Sequence, residues 1–394
     1  MKAVILAAGE GKRLRPFTET IPKVMLPVAN KPVLEYVIDA VKSNGIDEII
    51  IVVGYKKEVI MDYFKNYKGV KITYVVQEKQ LGTGHALLHA KGHIKDTFIV
   101  LSGDNIIDNK SISKLVKDES KYSILIKEHT NPSKYGAVLI EKEKLRTIVE
   151  KPKEDVGKFI STGIYKLPKK IFQIIDELAS EGIYDLSSTI QSIVDEGENI
   201  NTIIADLWRD IVYPWDLIHL NETMIKRTPS ILGGTIEKGV TLKGDVSVGK
   251  DSTIFSGCYI VGPVIIGEGC EIGPNVCIFP STTIGNNSIV QPFSQIGNTV
   301  IMNDVRIGSG SLIKNSVIGR GCIIENNFSS IDGSSTIEIE GEFKKLENIG
   351  SMIGEDCNIE SCVVIKQGII IGRKCNIASL KIIEENLPSN TKVM

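Results

Sequence analysis

The chain has 394 residues, enough for two domains of ordinary size, and its 42% hydrophobic and 24% charged content is the balance of a soluble globular protein. A net charge of −2 without long runs of one sign argues against a broad nucleic-acid or membrane-binding surface, while leaving room for one local cationic site. No apolar run is long enough to span a bilayer, and Met1 leads into a strand-like segment with no cationic leader, so a cytoplasmic protein is expected.

Residues 1–227 alternate apolar strands with amphipathic helices. KAVILAA (2–8) reads as a buried strand. Pro32–Asn44 has helical spacing at Val33, Leu34, Val37, Ile38 and Val41, with Gly45 as the stop signal. Strands at 47–54, 71–77 and 96–104 follow, separated by helices at 57–67 and 83–93. The alternation predicts βαβ units and a mostly parallel sheet, with the loops at 9–15, 77–84 and 104–106 gathered at the strands' C-terminal ends. A further helix is expected at Pro214–Arg227.

From about Ile231 the rhythm changes. Branched aliphatics recur every six residues from Ile236 through Leu242, Val248, Ile254, Ile260 and onward to Ile296; after a slip of one residue the series resumes at Ile301, Ile307 and Ile313, and again from Ile353 to Ile383. Glycine often follows the aliphatic. A six-residue period fits neither a helix nor an alternating strand; it is the hexapeptide repeat of a parallel β-helix. Residues 325–350 interrupt it and read as an excursion. The seven cysteines all lie after residue 250, and Cys258, Cys270, Cys322, Cys357 and Cys375 each stand two places before a periodic isoleucine, the small-residue position inside a coil. Free, buried thiols are expected.

The chemistry is concentrated in LAAGEGKRLRPFTETIPKVMLP (6–27). Gly9 and Gly11 let the backbone turn at the end of a strand, successive amides there can cradle phosphate oxygens, and Arg13 and Lys23 add positive charge. Glycines alone would suggest only a tight turn; with the cations, phosphate binding is the better reading. L-A-A-G-x-G-x-R-L followed by P-K-x-x-x-P resembles the signature of sugar-1-phosphate nucleotidylyltransferases, and the resemblance extends over essentially the whole chain. It implies a Rossmann-like, mixed-sheet nucleotidyltransferase domain at 1–227 and a left-handed parallel β-helix at 231–394, an α/β protein overall.

The resemblance also implies roles. Leu6, Ala7, Ala8, Gly9, Gly11 and Arg13 would hold the nucleotide, Arg13 on its triphosphate, and Lys23 would stand near the phosphates undergoing transfer. In QEKQLGTGHA (77–86), Gln77 would read the base edge and Gly82 and Thr83 would contribute backbone contacts. LSGDN (101–105) and LWRDI (207–211) would supply Asp104 and Asp210 as magnesium ligands, matching the one or two carboxylates that Mg²⁺ usually takes beside phosphates. Gly136, Glu150, Lys151, Thr162 and Gly163 would form the sugar-phosphate site. His85, His89 and His93 share a helix face, but the family uses the preceding Gly-Thr, so no metal is assigned to them.

Some long members of this family also acetylate glucosamine-1-phosphate with a histidine base. Here no histidine follows His219, Phe293 stands where the base is expected, and Glu338, Glu340 and Glu342 replace lysines in the excursion. NIGSMIG (348–354) and Asn326 still resemble the acetyltransferase pattern. LAAG leans toward a pyrimidine nucleotide, UTP or dTTP, and Ser161, in place of an asparagine, leans away from N-acetylglucosamine toward glucose-1-phosphate. The expectation is therefore a nucleoside triphosphate and a sugar-1-phosphate as substrates, no nucleic acid or membrane, and a homo-oligomer, trimer or higher, through the β-helix. The alternatives are a bifunctional uridylyltransferase/acetyltransferase and a non-catalytic nucleotide-sugar sensor or assembly subunit.

Overall fold

The computed structural model describes residues 1–153 and 157–394, which form two compact units. The first comprises Met1–Glu10, Pro22–Met25 and Val33–Asp210; the second comprises Gly11–Ile21, Leu26–Pro32 and Ile211–Met394. The glycine-rich segment thus changes unit between Glu10 and Gly11.

The first unit is built on a nine-stranded sheet. Its strands are β1 (Lys2–Ala7), β2 (Glu48–Val53), β3 (Lys71–Val76), β4 (Phe98–Ser102), β5 (Tyr122–Glu128), β6 (Gly136–Glu141), β7 (Lys144–Glu150), β8 (Phe159–Leu167) and β9 (Ile200–Ile204). They lie in the order β3-β2-β1-β4-β8-β5-β9-β7-β6. The first four pair in parallel, as the βαβ alternation requires, across helices Val33–Lys42, Lys57–Phe64 and Thr83–Leu88. Beyond them the sheet is mixed: β8 runs antiparallel to β4 and β5, and β7 antiparallel to β9 and β6. The expected helix at 83–93 is shorter than its pattern, ending at Leu88 before a separate turn of 3-10 helix at Lys91–His93. Helix Leu186–Asp195 begins on Asp185, whose carboxylate accepts the Ser188 amide at 2.7 Å.

In the second unit the hexads become a parallel β-helix of three sheets, with nine, eight and seven strands. The periodic aliphatics stack in register, Ile254 on Ile272, Ile272 on Val290, Val290 on Ile307 and Ile307 on Ile324, and all are buried. Each such side chain is worth about 1.5–3 kcal/mol relative to exposure. The glycine after the aliphatic is required by the neighbouring coil: a Cβ on Gly372 would lie 2.3 Å from the Ser389 amide nitrogen. The small-position cysteines bond their neighbours too, Cys270 Sγ to Gly285 O at 3.1 Å and Cys322 Sγ to Gly354 O at 3.0 Å. All seven cysteines are free; Cys277 and Cys362 lie half-exposed, because they fall outside that inward position. The excursion is shorter than the sequence suggests. Ser329–Ser330 still pairs with Leu312–Ile313 and Val364–Ile365, so what leaves the coil is a hairpin, Gly333–Ile339 with Glu342–Ile349.

The helix expected at 214–227 forms over Asp216–Ile225 and belongs to this unit. Its fully buried Asn221 explains why. The side-chain oxygen accepts the Ala29 amide at 2.9 Å and the side-chain nitrogen donates to Ser281 O at 2.9 Å, tying an N-terminal segment and a β-helix coil to one helix. Residues 11–21 are secured likewise. Ser389 Oγ donates to Glu19 Oε1 at 2.9 Å, and the Thr20 hydroxyl donates to the buried Glu355.

Burial pushes the Glu355 carboxyl above its ordinary range against the pull of the Thr20 hydrogen bond. A raised carboxylate binds its proton more tightly folded than unfolded, so its stabilising contribution is complete below the ordinary carboxylate range and is lost as pH rises through the raised value. Glu355→Gln should therefore gain thermal stability relative to the native chain as pH is raised from about 4.5 toward 7.5. A difference in melting temperature that stays constant over that range would contradict this.

Candidate active site

Two remote aspartates meet on one ladder. The strand Trp208–Asp210 pairs antiparallel with Asn105–Ile107, with Asp210 opposite Asn105. Directly opposed residues have Cα atoms about 4.5–5.5 Å apart, and Asp104 is the next residue along. The ladder is held by Thr162, whose carbonyl accepts Asn105 Nδ2 at 3.0 Å and Trp208 Nε1 at 3.2 Å. Tyr135 donates its hydroxyl to Asp210 Oδ1 at 3.2 Å and sets its ring edge-on to Trp208, centroids 5.7 Å apart.

Asp104 receives the Lys23 ammonium on Oδ2 at 2.5 Å and the Ser102 hydroxyl on Oδ1 at 2.6 Å. Burial alone would raise its pKa; the attraction and hydrogen bond of Lys23, with that of Ser102, overcome burial and hold the carboxyl below the usual carboxylate range. Two carboxylates this close supply hard oxygen donors that suit a magnesium ion whose other ligands come from phosphates and water. Among the described residues no group of three or more His, Cys, Asp or Glu side chains is arranged to hold a metal.

The end of β1 lies beside these groups. Gly103 N donates to Leu6 O at 2.8 Å, and a Cβ on Gly103 would lie 3.3 Å from that of Ala7. Ala8 O accepts both Tyr55 N at 3.1 Å and Gln80 Nε2 at 2.7 Å. At Gly9 a Cβ would meet nothing within 4 Å, which leaves the backbone open on that side. Gln77 is buried, its Nε2 between Gly82 O at 3.2 Å and His85 Nδ1 at 2.9 Å. The Thr83 hydroxyl accepts the Leu186 amide at 2.9 Å, and a Cβ on Gly82 would fall 2.5 Å from Tyr184 O.

A second cluster forms across β6 and β7, where Gly136 pairs with Glu150. A Cβ on Gly136 would lie 3.2 Å from Glu150 Oε2 and 3.4 Å from Ser187 Oγ, so a side chain there would push the Glu150 carboxylate aside by a few tenths of an ångström. Ser187 donates to Glu150 Oε2 at 2.9 Å. Behind them Ser161 and Tyr165 share a hydrogen bond of 2.9 Å, and burial pushes the Tyr165 phenol up to about 12, so it stays protonated. The register shift between Ser161 and Ile164 lets Gly163 adopt φ +72°. Thr162 turns its hydroxyl inward to Leu125 O at 2.7 Å. Lys151 is exposed with a left-handed backbone, φ +45°, its amide on Tyr135 O at 2.9 Å.

Gly11 and Arg13 belong to the second unit. Gly11 has φ +72°, which glycine adopts without strain, and Arg13 is exposed, its guanidinium 5.9 Å from the Tyr213 ring centroid. Neither Tyr135 nor Ser187 stands out in the sequence as a site residue. Tyr135 sits in the YGAV motif beside Gly136, and Ser187 follows the Asp185 cap signal, so both had local markers whose partners lie far away in sequence.

Comparison with known proteins bears on the family of the chain. Residues 2–227 match the model of a nucleotidyl transferase family, and residues 260–386 match a GMPPB C-terminal domain. A bifunctional GlmU protein from Methanococcus maripaludis strain S2 is 34% identical over 91% of this chain and 88% of its own length. The UTP–glucose-1-phosphate uridylyltransferase AglF of Haloferax volcanii is 37% identical over 55% of this chain and 93% of its own length. Among solved structures, one described as a glucose-1-phosphate thymidylyltransferase from Bacillus anthracis superimposes with a TM-score of 0.52 and 27% identity, over 56% of this chain and 94% of that one.

The ion pair is partly screened, its side chains being 18% and 25% exposed. Lys23→Met should leave Asp104 without its cation and lower folding stability by about 1–3 kcal/mol, less than a fully buried pair would cost. Lys23→Met with Asp104→Asn should recover part of that loss. Equal melting temperatures for native and Lys23→Met protein would contradict the pairing.

Proposed function

Because this chain belongs to the nucleotidyl transferase family and transfers a nucleotidyl group to a sugar-1-phosphate, we propose that it joins UTP or dTTP to glucose-1-phosphate and releases pyrophosphate. The observation that carries the catalytic reading is the rung that sets Asp210 opposite Asn105, beside Asp104 and its Lys23 partner.

The sugar-phosphate oxygen attacks the α-phosphorus, a new P–O bond forms, and the bond from the α-phosphorus to its bridging oxygen breaks as pyrophosphate leaves. Arg13 binds the triphosphate and Lys23 stands by the transferred phosphate, so that two anions can approach. Leu6, Ala7, Ala8, Gly9 and Gly11 line the nucleotide's path with main chain, while Gln77, Gly82 and Thr83 meet the base. Asp104 and Asp210 would hold Mg²⁺, which when bound neutralises phosphate charge. Glu150 accepts hydrogen bonds from sugar hydroxyls, Gly136 leaves room for the ring, Lys151 meets the sugar phosphate, and Thr162 and Gly163 contribute backbone. The choice of glucose and of a pyrimidine is supported by the Ser161 and LAAG departures and by the Haloferax relative's described activity.

The same reading has the protein acting in the cytoplasm as a homo-oligomer; among the described residues no helix is long and apolar enough to cross a membrane. Exposed Phe293, Leu312, Ile323 and Ile382 on the β-helix support self-association there. A second, acetylating activity is favoured by a Sulfurisphaera tokodaii relative described as a bifunctional sugar-1-phosphate nucleotidylyltransferase/acetyltransferase and opposed by Phe293, 70% exposed where a histidine base is expected.

A matrix of nucleoside triphosphates against sugar-1-phosphates with Mg²⁺ should release pyrophosphate best for UTP or dTTP with glucose-1-phosphate; no turnover with any pair would sink the proposal. Asp104→Ala should lose on the order of 100-fold or more in rate while staying folded, and full activity would remove Asp104 from the metal site. Glucosamine-1-phosphate with acetyl-CoA should liberate no free thiol; robust release would establish the second activity.

A further inference from the structure

The hairpin Gly333–Ile339/Glu342–Ile349 interrupts the β-helix, which resumes at Met352–Ile353. Most of it faces solvent, and Phe343 at its second strand is 69% exposed. One end of that strand is not idle. Glu342 Oε2 accepts the Tyr213 hydroxyl at 2.8 Å and the Lys344 ammonium at 2.5 Å, and Lys344 Nζ stands 5.4 Å from the Tyr213 ring centroid. Tyr213 is only 8% exposed and stacks on Trp215, centroids 4.9 Å apart and planes 14° apart. The same ring carries the Arg13 guanidinium at 5.9 Å. Arg13, Tyr213, Trp215, Glu342 and Lys344 all lie in one compact unit.

The arrangement gives direction to an exposed arginine. Trp215 fixes the plane of the tyrosine ring, and Glu342, itself held by Lys344, fixes its hydroxyl end. The ring face then offers the guanidinium one attractive place to rest, which restricts a side chain that otherwise loses much rotamer freedom on meeting a ligand. A glutamate at 342 is a poor partner for a phosphorylated ligand of the hairpin itself; it is the acceptor that a tyrosine hydroxyl needs. We propose that the hairpin serves nucleotidyl transfer as a positioning element: Glu342 and Lys344 lock Tyr213, and Tyr213 presents Arg13 to the nucleotide's triphosphate. This rests on the function proposed above, in which Arg13 meets that triphosphate.

The test is steady-state kinetics on the full chain with UTP or dTTP, glucose-1-phosphate and Mg²⁺, together with calorimetric binding of the same nucleotide. Tyr213→Leu and Glu342→Ala should each raise the KM and Kd for the nucleotide roughly three- to five-fold, with the KM for the sugar phosphate unchanged and kcat within about two-fold of native. Glu342→Gln, which still accepts the hydroxyl, should restore nucleotide affinity. In an Arg13→Ala background neither Tyr213→Leu nor Glu342→Ala should weaken nucleotide binding further, because they act through Arg13. Effects that multiply with Arg13→Ala, or that raise both KM values alike, would overturn the inference. If Tyr213→Leu fails to fold, Glu342→Ala on the exposed hairpin decides the matter alone. Absence of turnover in the unaltered protein would sink the function proposed above and this inference with it, whereas turnover with independent effects sinks this inference only.

Discussion

Two phosphorylated substrates cannot react until their negative charges are allowed to meet. Unit charges 4 Å apart repel by about 1 kcal/mol in bulk water and about 4 kcal/mol at an effective dielectric of 20, and phosphates carry several such charges. On the function proposed above, the short antiparallel ladder of Asn105–Ile107 and Trp208–Asp210 would meet that constraint by bringing Asp210 beside Asp104, where the pair would hold Mg²⁺ against the phosphates. Two carboxylates would repel each other as well; Lys23 on Asp104 and the Tyr135 hydroxyl on Asp210 compensate part of that repulsion. The ladder in turn hangs from the Thr162 carbonyl, at the irregular position of β8 between Ser161 and Ile164.

The β-helix meets a different demand, that of close packing between identical turns. Its interior isoleucines supply the burial, and its glycines admit a neighbouring backbone that any Cβ would strike, as at Gly319, where the Gly354 carbonyl carbon would lie 2.6 Å away. Because each coil contacts chiefly its neighbours, such a stack works as a quasi-one-dimensional scaffold. Here it also carries segments from the other end of the chain: Glu19 and Thr20 bond to Ser389 and Glu355, and Asn221 gathers Ala29 and Ser281. That is why residues 11–21 and 26–32 group with it.

The β-helix was legible because its period is local: every hexad announces itself through Ile254, Ile272 or Ile307 and the glycine or small residue nearby. The βαβ part was legible for the same reason, and the strands around Lys2–Ala7 and Glu48–Val53 fall where apolar runs put them. In the candidate site the glycines and cations of residues 6–27 carried a local signal, whereas the partnership of Asp104 and Asp210 was expected only through resemblance. Nothing near Asp210 says that Asn105 will lie opposite it, and nothing near Tyr213 names Glu342, 129 residues away. Long-range register and side-chain partnership depend on tertiary geometry, which short-range patterns do not encode. The same limit made the excursion look longer than it is, since Ser329–Ser330 lacks the aliphatic that marks a rung yet still pairs as one.

Two residues of the 77–86 segment are committed to a neighbouring helix: the Thr83 hydroxyl accepts the Leu186 amide. Glycine at 82 is there because the Tyr184 carbonyl would collide with any side chain. Both residues are thus fixed by the start of helix Leu186–Asp195, the helix whose Ser187 bonds Glu150. One helix N-terminus therefore shapes both the segment expected to meet the base and the cluster expected to meet the sugar. On the function proposed above, a change in the Tyr184–Ser187 turn would act on both segments together, so that selectivity for base and selectivity for sugar would be coupled through this one turn.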